Sequence, residues 1–491
     1  MTDELNTGYR FSAVIQPYMP VFYVAFLVSL VLTPLMRALA HRNGVVDDPD
    51  GKRKVHSQPI AYLGGVSIFL GWLAGISMSV FLQPHNAAPL HLGTIQVPIG
   101  IVLGAATVVV FGLMDDVFSL SPKVKLIGQF LAALLLILPG AINFAGSDLF
   151  LGAHAPNTGE PPVGPAWMII RPLIDMHVLS QDVLRSPAWF FGASIFSGLL
   201  AVCVIIATCN STNLLDGLDG LCSGVTGVMS IGYLFLAIYL AQSNWVGVGG
   251  AAADPVRITL SLALLGAVMG FLPYNFNPAS IFMGDTGSMF LGYICGTMIL
   301  LFAQNGTIRW FLSAIIMFGL PMMDTLLAIV RRKLNGKPIF SPDSNHFHHF
   351  LVKRGLTVRK AVLLSYAVAA IFVSFGLVIV IMPTALALGI YLVLFGWIIV
   401  AAFKMGMIFQ KAPVAANTTL NVAVIGQAAS PAVGSGPSQP ISAPVVSEPT
   451  PTTSSATSRR GAVGVVQTLL LVGGSLAGSY FLYQWYHGQL L

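Results

Sequence analysis

Long apolar runs alternate with short polar stretches over most of this chain. Runs near 20–41, 65–83, 98–114, 125–143, 188–208, 222–241, 257–273, 287–303, 309–330, 362–381 and 385–404 lie close to the about 20 residues that a helix needs to cross hydrocarbon. A twelfth lies near 464–485. Bare backbone groups are costly in lipid, and a helix satisfies them within its own segment. The predicted fold is therefore all-α: a polytopic membrane helix bundle of about 11 core transmembrane helices plus one extra C-terminal helix. The organisation expected is an external N-terminus over 1–19, a transmembrane domain over 20–411, a disordered Ala/Pro/Ser/Thr-rich linker over 412–460 and a C-terminal transmembrane anchor over 461–491. The stretch 144–187 has no hydrophobic period and reads as an external loop.

Composition agrees with this pattern. The chain is 55% apolar and 9% charged, where a soluble domain carries about 25% charged residues. Assigning loops alternately to two sides places 19 of the 24 Lys and Arg on one side. That side is expected to be cytoplasmic, with the N-terminus outside. The start, M-T-D-E-L-N-T-G-Y-R, lacks the features of a cleaved signal, so the first run is expected to be retained. The +6 charge follows membrane sidedness, and no nucleic-acid partner is expected. Cys203, Cys209, Cys222 and Cys295 form no C-x-x-C pair and predict neither a disulfide framework nor a zinc site.

The polar residues that interrupt the pattern gather on the cytoplasmic side. N-S-T-N-L-L-D-G-L-D-G, Asn210 to Gly220, carries two Asn and two Asp between apolar runs. Asp216 and Asp219 are three apart, so one helical turn would bring them to one face. Paired carboxylates with amide neighbours suit a hard cation such as Mg²⁺, although capping of a helix start is the simpler use. Asp115 and Asp116 end another run with Lys123 and Lys125 following. Adjacent carboxylates repel, so one of them suits a general base, or the pair anchors a phosphate through a metal or lysine. In P-Y-N-F-N-P-A-S-I-F-M-G-D-T-G-S, Asn275 and Asn277 precede Asp285, which stands between Gly284 and Gly287. That spacing predicts a tight turn offering a carboxylate and bare amides to an anion or metal. Asp324 is a lone intramembrane acid, expected to orient a basic group or bond a neighbouring helix rather than to catalyse. Lys52, Arg53, Lys54 and His56 form a basic patch before Gly64 and Gly65, fit for phosphate or for lipid headgroups. His346, His348 and His349 can hold a diphosphate, protonate a leaving phosphate or bind a transition metal.

Taken together, D-D at a span end, N-x-x-N-x-x-D-G-x-D-G, N-P-A-x-I-F-M-G-D-x-G-S and H-x-H-H resemble the polyprenyl-phosphate N-acetylhexosamine-1-phosphate transferases over roughly residues 20–405. H-F-H-H and R-K-V-H-x-x-P-I resemble the branch that uses UDP-N-acetylglucosamine and undecaprenyl phosphate and starts O-antigen, common-antigen or teichoic-acid linkage synthesis. The T-P-T-M-G-G of the sister branch, which takes UDP-N-acetylmuramoyl-pentapeptide, is replaced by I-A-Y-L-G-G. The resemblance implies a Mg²⁺-dependent phosphoglycosyltransferase, with Mn²⁺ as an alternative ion, acting at the cytoplasmic face of a bacterial inner membrane and releasing UMP. It implies catalytic roles for Asp115, Asp116, Asp216, Asp219 and His348, with Asp115 the base. It makes Asp216 and Asp285 metal ligands. Substrate contacts are implied for Lys54, His56, Lys125, Asn210, Asn213, Asn277, His346 and His349. Ala61 and Tyr62 depart from the family pattern before the Gly pair. Membrane lipids are expected partners and a homodimer is left open. A different UDP-sugar and, from another class, a secondary transporter are the alternatives; charge gathered at one face and the lack of an internal repeat stand against transport.

Overall fold

The computed structural model describes residues 14–47, 59–79, 81, 97–137, 187–242, 250–303, 308–336, 338 and 346–404. Helices carry almost all of it. They are α1 (Met19–Asn43), α2 (Gly64–Ser79), α3 (Ile99–Phe118), α4 (Pro122–Ile137), α5 (Pro187–Leu215), α6 (Leu221–Gln242) and α7 (Gly250–Asn275). Then come α8 (Gly284–Ala303), α9 (Ile308–Met317), α10 (Gly319–Leu334), α11 (Phe347–Lys353), α12 (Val358–Ile381) and α13 (Thr384–Lys404). The first eleven predicted spans each fall on helix, and the fold is the expected all-α bundle. Seven helical segments are long and apolar enough to cross a membrane alone, and α9 with α10 makes an eighth if counted as one span. The chain is an integral membrane protein. The twelfth run, the linker and the 144–186 loop lie outside the described residues.

α8 is the centre of the bundle. Its apolar span is wholly enclosed, and it packs on α2, α3 and α5. The ends of α3 and α5 and the starts of α2 and α4 meet around its N-terminus, and this is what builds the site.

The ninth predicted span is not one straight helix. α9 and α10 meet at 76°. Pro321, in the first turn of α10, has no N–H to give to the preceding turn, which breaks the ladder there. Gly319 leaves room at the break for the Phe372 ring of α12. The bend also turns Asp324 toward the segment that follows α10.

A two-residue ribbon is the exception to the helices. β1 (Val46–Asp47) pairs antiparallel with β2 (Ile60–Ala61). The Ala61 carbonyl then accepts the Phe282 N–H at 2.8 Å. The first amides of α2 are satisfied the same way: Gly64 and Gly65 donate to the carbonyls of Phe282 and Met283, each at 3.0 Å. A Cβ on Gly65 would overlap the Gly287 backbone. Gly65→Ala is expected to destabilise the fold by about 1–3 kcal/mol, as overpacking of backbone on backbone does. Thermal unfolding in detergent checks this.

Candidate active site

α3 ends in Ser119, whose φ of 53° closes the helix by an N–H bond to the Asp115 carbonyl at 2.8 Å. The two carboxylates before it have separate partners. Asp116 Oδ1 accepts the Asp285 N–H at 2.7 Å; its Oδ2 accepts the Thr286 N–H at 3.1 Å and the Thr286 hydroxyl at 2.6 Å. These are the first amides of α8, which no residue of α8 itself can satisfy. Asp116 is therefore the N-terminal cap of α8, supplied from another helix. Gly284 permits this with φ 66° and with no Cβ to fill the place of the Asp116 carboxylate. The turn around Asp285 does present bare amides to an anion, as its glycines predict; the anion is Asp116 rather than a ligand. Both of its oxygens are engaged in holding α8.

Asp285 sits in the first turn of α8. Its Oδ1 accepts the Asn213 amide at 2.8 Å, and Asn213 also donates to Ser288 at 3.0 Å. Its Oδ2 accepts Lys125 Nζ at 2.5 Å. The same ammonium reaches Asp115 Oδ2 at 2.6 Å. Asp115 Oδ1 accepts the Leu120 N–H at 2.7 Å. One oxygen each from Asp115, Asp116 and Asp285 lies within 4.8 Å of the others. One turn deeper, the Asn210 amide donates to Gln129 Oε1 at 2.7 Å and to the Ile206 carbonyl at 2.7 Å. Gln129 follows Lys125 by four residues and Asn210 precedes Asn213 by three, so this bond fixes the spacing of the two side chains that meet on Asp285. Asn210 thus ties α5 to α4.

Asp216 follows the end of α5, its N–H bonded to the Thr212 carbonyl at 3.1 Å. Burial first, then the charges of Asp285 and Asp219, push its carboxyl up to about 8. It is not a member of the three-carboxylate cluster, although the Asp285 charge acts on it. Asp219 Oδ2 accepts the Asn277 amide at 2.9 Å and the Ala279 N–H at 3.0 Å. Arg359 Nε donates to the Asn277 carbonyl at 2.8 Å. Asp219 and Asn277, both expected at substrate, are here paired with each other. Asn275 Oδ1 accepts the Gly220 N–H at 3.2 Å and the Ser223 hydroxyl at 2.8 Å, locking the same two loops together.

The histidines are positioned by Asp324. Its Oδ1 accepts the Phe347 N–H at 2.8 Å and so caps α11; its Oδ2 lies 3.1 Å from His346 Nδ1 and 3.9 Å from His348 Nδ1. The expectation that Asp324 orients a basic group holds. The His348 ring lies 4.3 Å from that of His349 and packs directly on the Gly217 backbone, where no Cβ fits. Burial drives the His348 imidazolium down to about 3; Asp324 opposes this, while His349 and His346 add to it. Burial therefore holds His348 neutral near pH 7. Its unfolded value is higher, so the unfolded chain binds the extra proton first and stability falls as pH drops below about 6.5. A loss of about 2 kcal/mol by pH 5 is expected, flattened in His348→Gln, with melting curves as the measure.

Tyr62 was legible only as a departure from the family pattern. Burial first, then Asp47, Asp116, Asp216 and Asp285, raise its phenol above the ordinary range. Its ring meets Phe282 edge to face at 5.9 Å. Lys54 and His56 lie outside the described residues.

Asp115, Asp116 and Asp285 offer oxygen ligands only, and three carboxylates within reach of one another suit a hard divalent cation. With Asp116 engaged as a cap, Asp285 and Asp115 are the residues placed to hold one. Comparison with known proteins agrees with this architecture. The model of glycosyl transferase family 4 matches residues 98–303. A probable undecaprenyl-phosphate N-acetylglucosaminyl 1-phosphate transferase of Bacillus subtilis (strain 168) is 32% identical over 394 residues, 79% of this chain and 92% of that protein. The decaprenyl-phosphate N-acetylglucosaminephosphotransferase of Mycobacterium tuberculosis (strain ATCC 25618 / H37Rv) is 31% identical over 364 residues, 72% of this chain and 80% of its own. A phospho-N-acetylmuramoyl-pentapeptide-transferase of Desulforudis audaxviator is 29% identical over 370 residues, 72% and 95% of the two chains. With the carboxylates, the capped α8 and the histidine helix all gathered at one end of a membrane bundle, the chain belongs to glycosyl transferase family 4, the polyprenyl-phosphate N-acetylhexosamine 1-phosphate transferases.

Proposed function

We propose that the chain transfers N-acetylglucosamine 1-phosphate from UDP-N-acetylglucosamine to undecaprenyl phosphate at the cytoplasmic face of a bacterial inner membrane. An acceptor phosphate oxygen bonds to the sugar-linked phosphorus. The bond from that phosphorus to the bridging oxygen breaks, and UMP leaves with the electron pair. The products are UMP and a lipid diphosphate sugar. The observation that carries this reading is the Lys125 ammonium joining Asp115 to Asp285 at the helix ends, with Asn213 on the other oxygen of Asp285. Phosphoryl transfer asks mainly for positioning and charge neutralisation, and these groups supply both. Asp285 and Asp115 would hold a Mg²⁺ ion, and such an ion would supply charge neutralisation on the diphosphate. Asp115 takes any proton the acceptor phosphate still carries. Asn213 keeps Asp285 in place. His346, fixed by Asp324, and His349 at the start of α11 contact the incoming diphosphate or sugar.

The side assignment rests on charge. Arg331, Arg332, Lys333, Lys353, Arg354, Arg359 and Lys360 lie on the elements that build the site, and such excess marks the cytoplasmic side. The polyprenyl tail stays in lipid while its phosphate meets the soluble donor. Donor identity is tested with purified protein, undecaprenyl phosphate and a panel of UDP-N-acetylglucosamine, UDP-N-acetylgalactosamine and UDP-N-acetylmuramoyl-pentapeptide. UDP-N-acetylglucosamine is expected to give the highest kcat/KM. Preference for the pentapeptide donor would move the chain to the sister branch.

A further inference from the structure

Lys125 occupies an unusual place for a substrate-binding lysine. Its ammonium is 2.6 Å from Asp115 Oδ2 and 2.5 Å from Asp285 Oδ2, so it sits between the two carboxylates. Those are the carboxylates the site offers to a divalent cation, since the third, Asp116, spends its oxygens on the α8 amides. A Mg²⁺ ion needs ligand oxygens at about 2.0–2.1 Å in near-octahedral array. It cannot share that point with an ammonium nitrogen. The side chain is free to leave: it is 28% exposed, and it stands on the first turn of α4, next to solvent. The backbone below it is pinned, because Gln129, one turn on, is held by Asn210.

We propose that Lys125 is an internal competitor for the divalent ion. In the ion-free protein its ammonium bridges Asp115 and Asp285 and offsets their repulsion. When the ion binds, Lys125 is displaced and its positive charge becomes available to the acceptor phosphate beside Asp115. The exchange makes the phosphate-binding lysine available only at a site that already holds its metal. This rests on the proposed transferase reading and deepens it.

The physical consequence is a reduced apparent metal affinity. If the bridged form is populated about nine times in ten, the apparent Kd is raised about tenfold over that of the unbridged site. Removing a nearby positive charge would also tighten binding somewhat without any displacement, so affinity alone does not settle the matter. A second readout follows the lysine itself.

The experiment uses the full chain in detergent without donor or acceptor. Mn²⁺ binding is followed by electron paramagnetic resonance in the unsubstituted protein, in Lys125→Met and in Lys125→Arg. In parallel, Lys125 is labelled by reductive methylation with and without saturating Mg²⁺, and its modified fraction is read by peptide mass spectrometry. Lys125→Met is expected to bind Mn²⁺ about tenfold more tightly, Lys125→Arg is expected to stay near the unsubstituted protein, and Mg²⁺ is expected to raise labelling of Lys125 several-fold. Labelling unchanged by Mg²⁺, or Mn²⁺ affinity in Lys125→Met no better than in the unsubstituted protein, overturns the proposal. Melting curves show whether Lys125→Met folds; if it does not, the labelling arm on the unsubstituted chain still decides. The transferase reading fails separately, by absence of UMP release from a protein that binds Mn²⁺ normally.

Discussion

Asp285→Asn is expected to lower turnover by about 10³-fold or more while leaving membrane insertion and folding intact. The carboxylate does three things at once. It accepts Lys125, accepts Asn213 and offers oxygen to a cation. An amide in its place loses the charge, and its NH₂ must face either the Lys125 ammonium or the Asn213 amide, both donors. Loss of a carboxylate that holds the cationic groups set against the transferring phosphoryl oxygens removes several kcal/mol of transition-state stabilisation. Steady-state UMP release measures the effect, and a melting curve within a few degrees of the unsubstituted protein shows that the fold survives. Near-normal turnover would remove Asp285 from the site.

Asp116→Asn is expected to fail in the opposite way. Here the first result is lost stability, about 2–4 kcal/mol, because a carboxyl cap bonded to two amides and a hydroxyl is replaced by a group that brings its own donors. α8 is enclosed on all sides, so loosening its first turn also shifts Asp285. Activity falls as a consequence, but the specific activity of the folded fraction at low temperature is expected to stay well above that of Asp285→Asn. Comparing melting midpoints and cold specific activities of the two variants separates a positioning carboxylate from a reacting one. An unchanged melting midpoint with abolished turnover would return Asp116 to the chemistry.

The adjacent pair Asp115–Asp116 shows where sequence reasoning stops. Two acids at a span end are visible as chemistry in waiting, and one of them does face Lys125. That the other caps a helix 169 residues away depends on how α3 and α8 pack, which no local spacing encodes. The spans themselves were legible because hydrocarbon thickness fixes a length and demands apolar side chains. The break at Pro321 was legible in principle, yet it hides within a run whose hydropathy is continuous. Gly64 and Gly65 announced close backbone approach; the partner, the turn at Met283 and Gly287, did not appear until the fold was in view. The histidine segment was recognisable as a cluster, but its protonation was not. Three nearby rings suggest titration near neutrality, whereas burial against Gly217 leaves His348 uncharged. Asn210, Asp219 and Asn277 look the same in sequence as Asn213, since amide and acid side chains at helix ends serve ties and ligands equally well.

The central claim is that groups from α3, α4, α5 and α8 meet to pass a sugar phosphate from a soluble nucleotide to a lipid phosphate. The most direct measurement reconstitutes the purified chain with undecaprenyl phosphate and UDP-N-acetylglucosamine labelled in the sugar-linked phosphate. Both products are then counted, with Mg²⁺ present and with Mg²⁺ chelated. The account predicts one UMP for each labelled lipid diphosphate formed, and neither product under chelation. Release of UDP with an unlabelled lipid sugar, or no transfer at all from a folded protein, would contradict it.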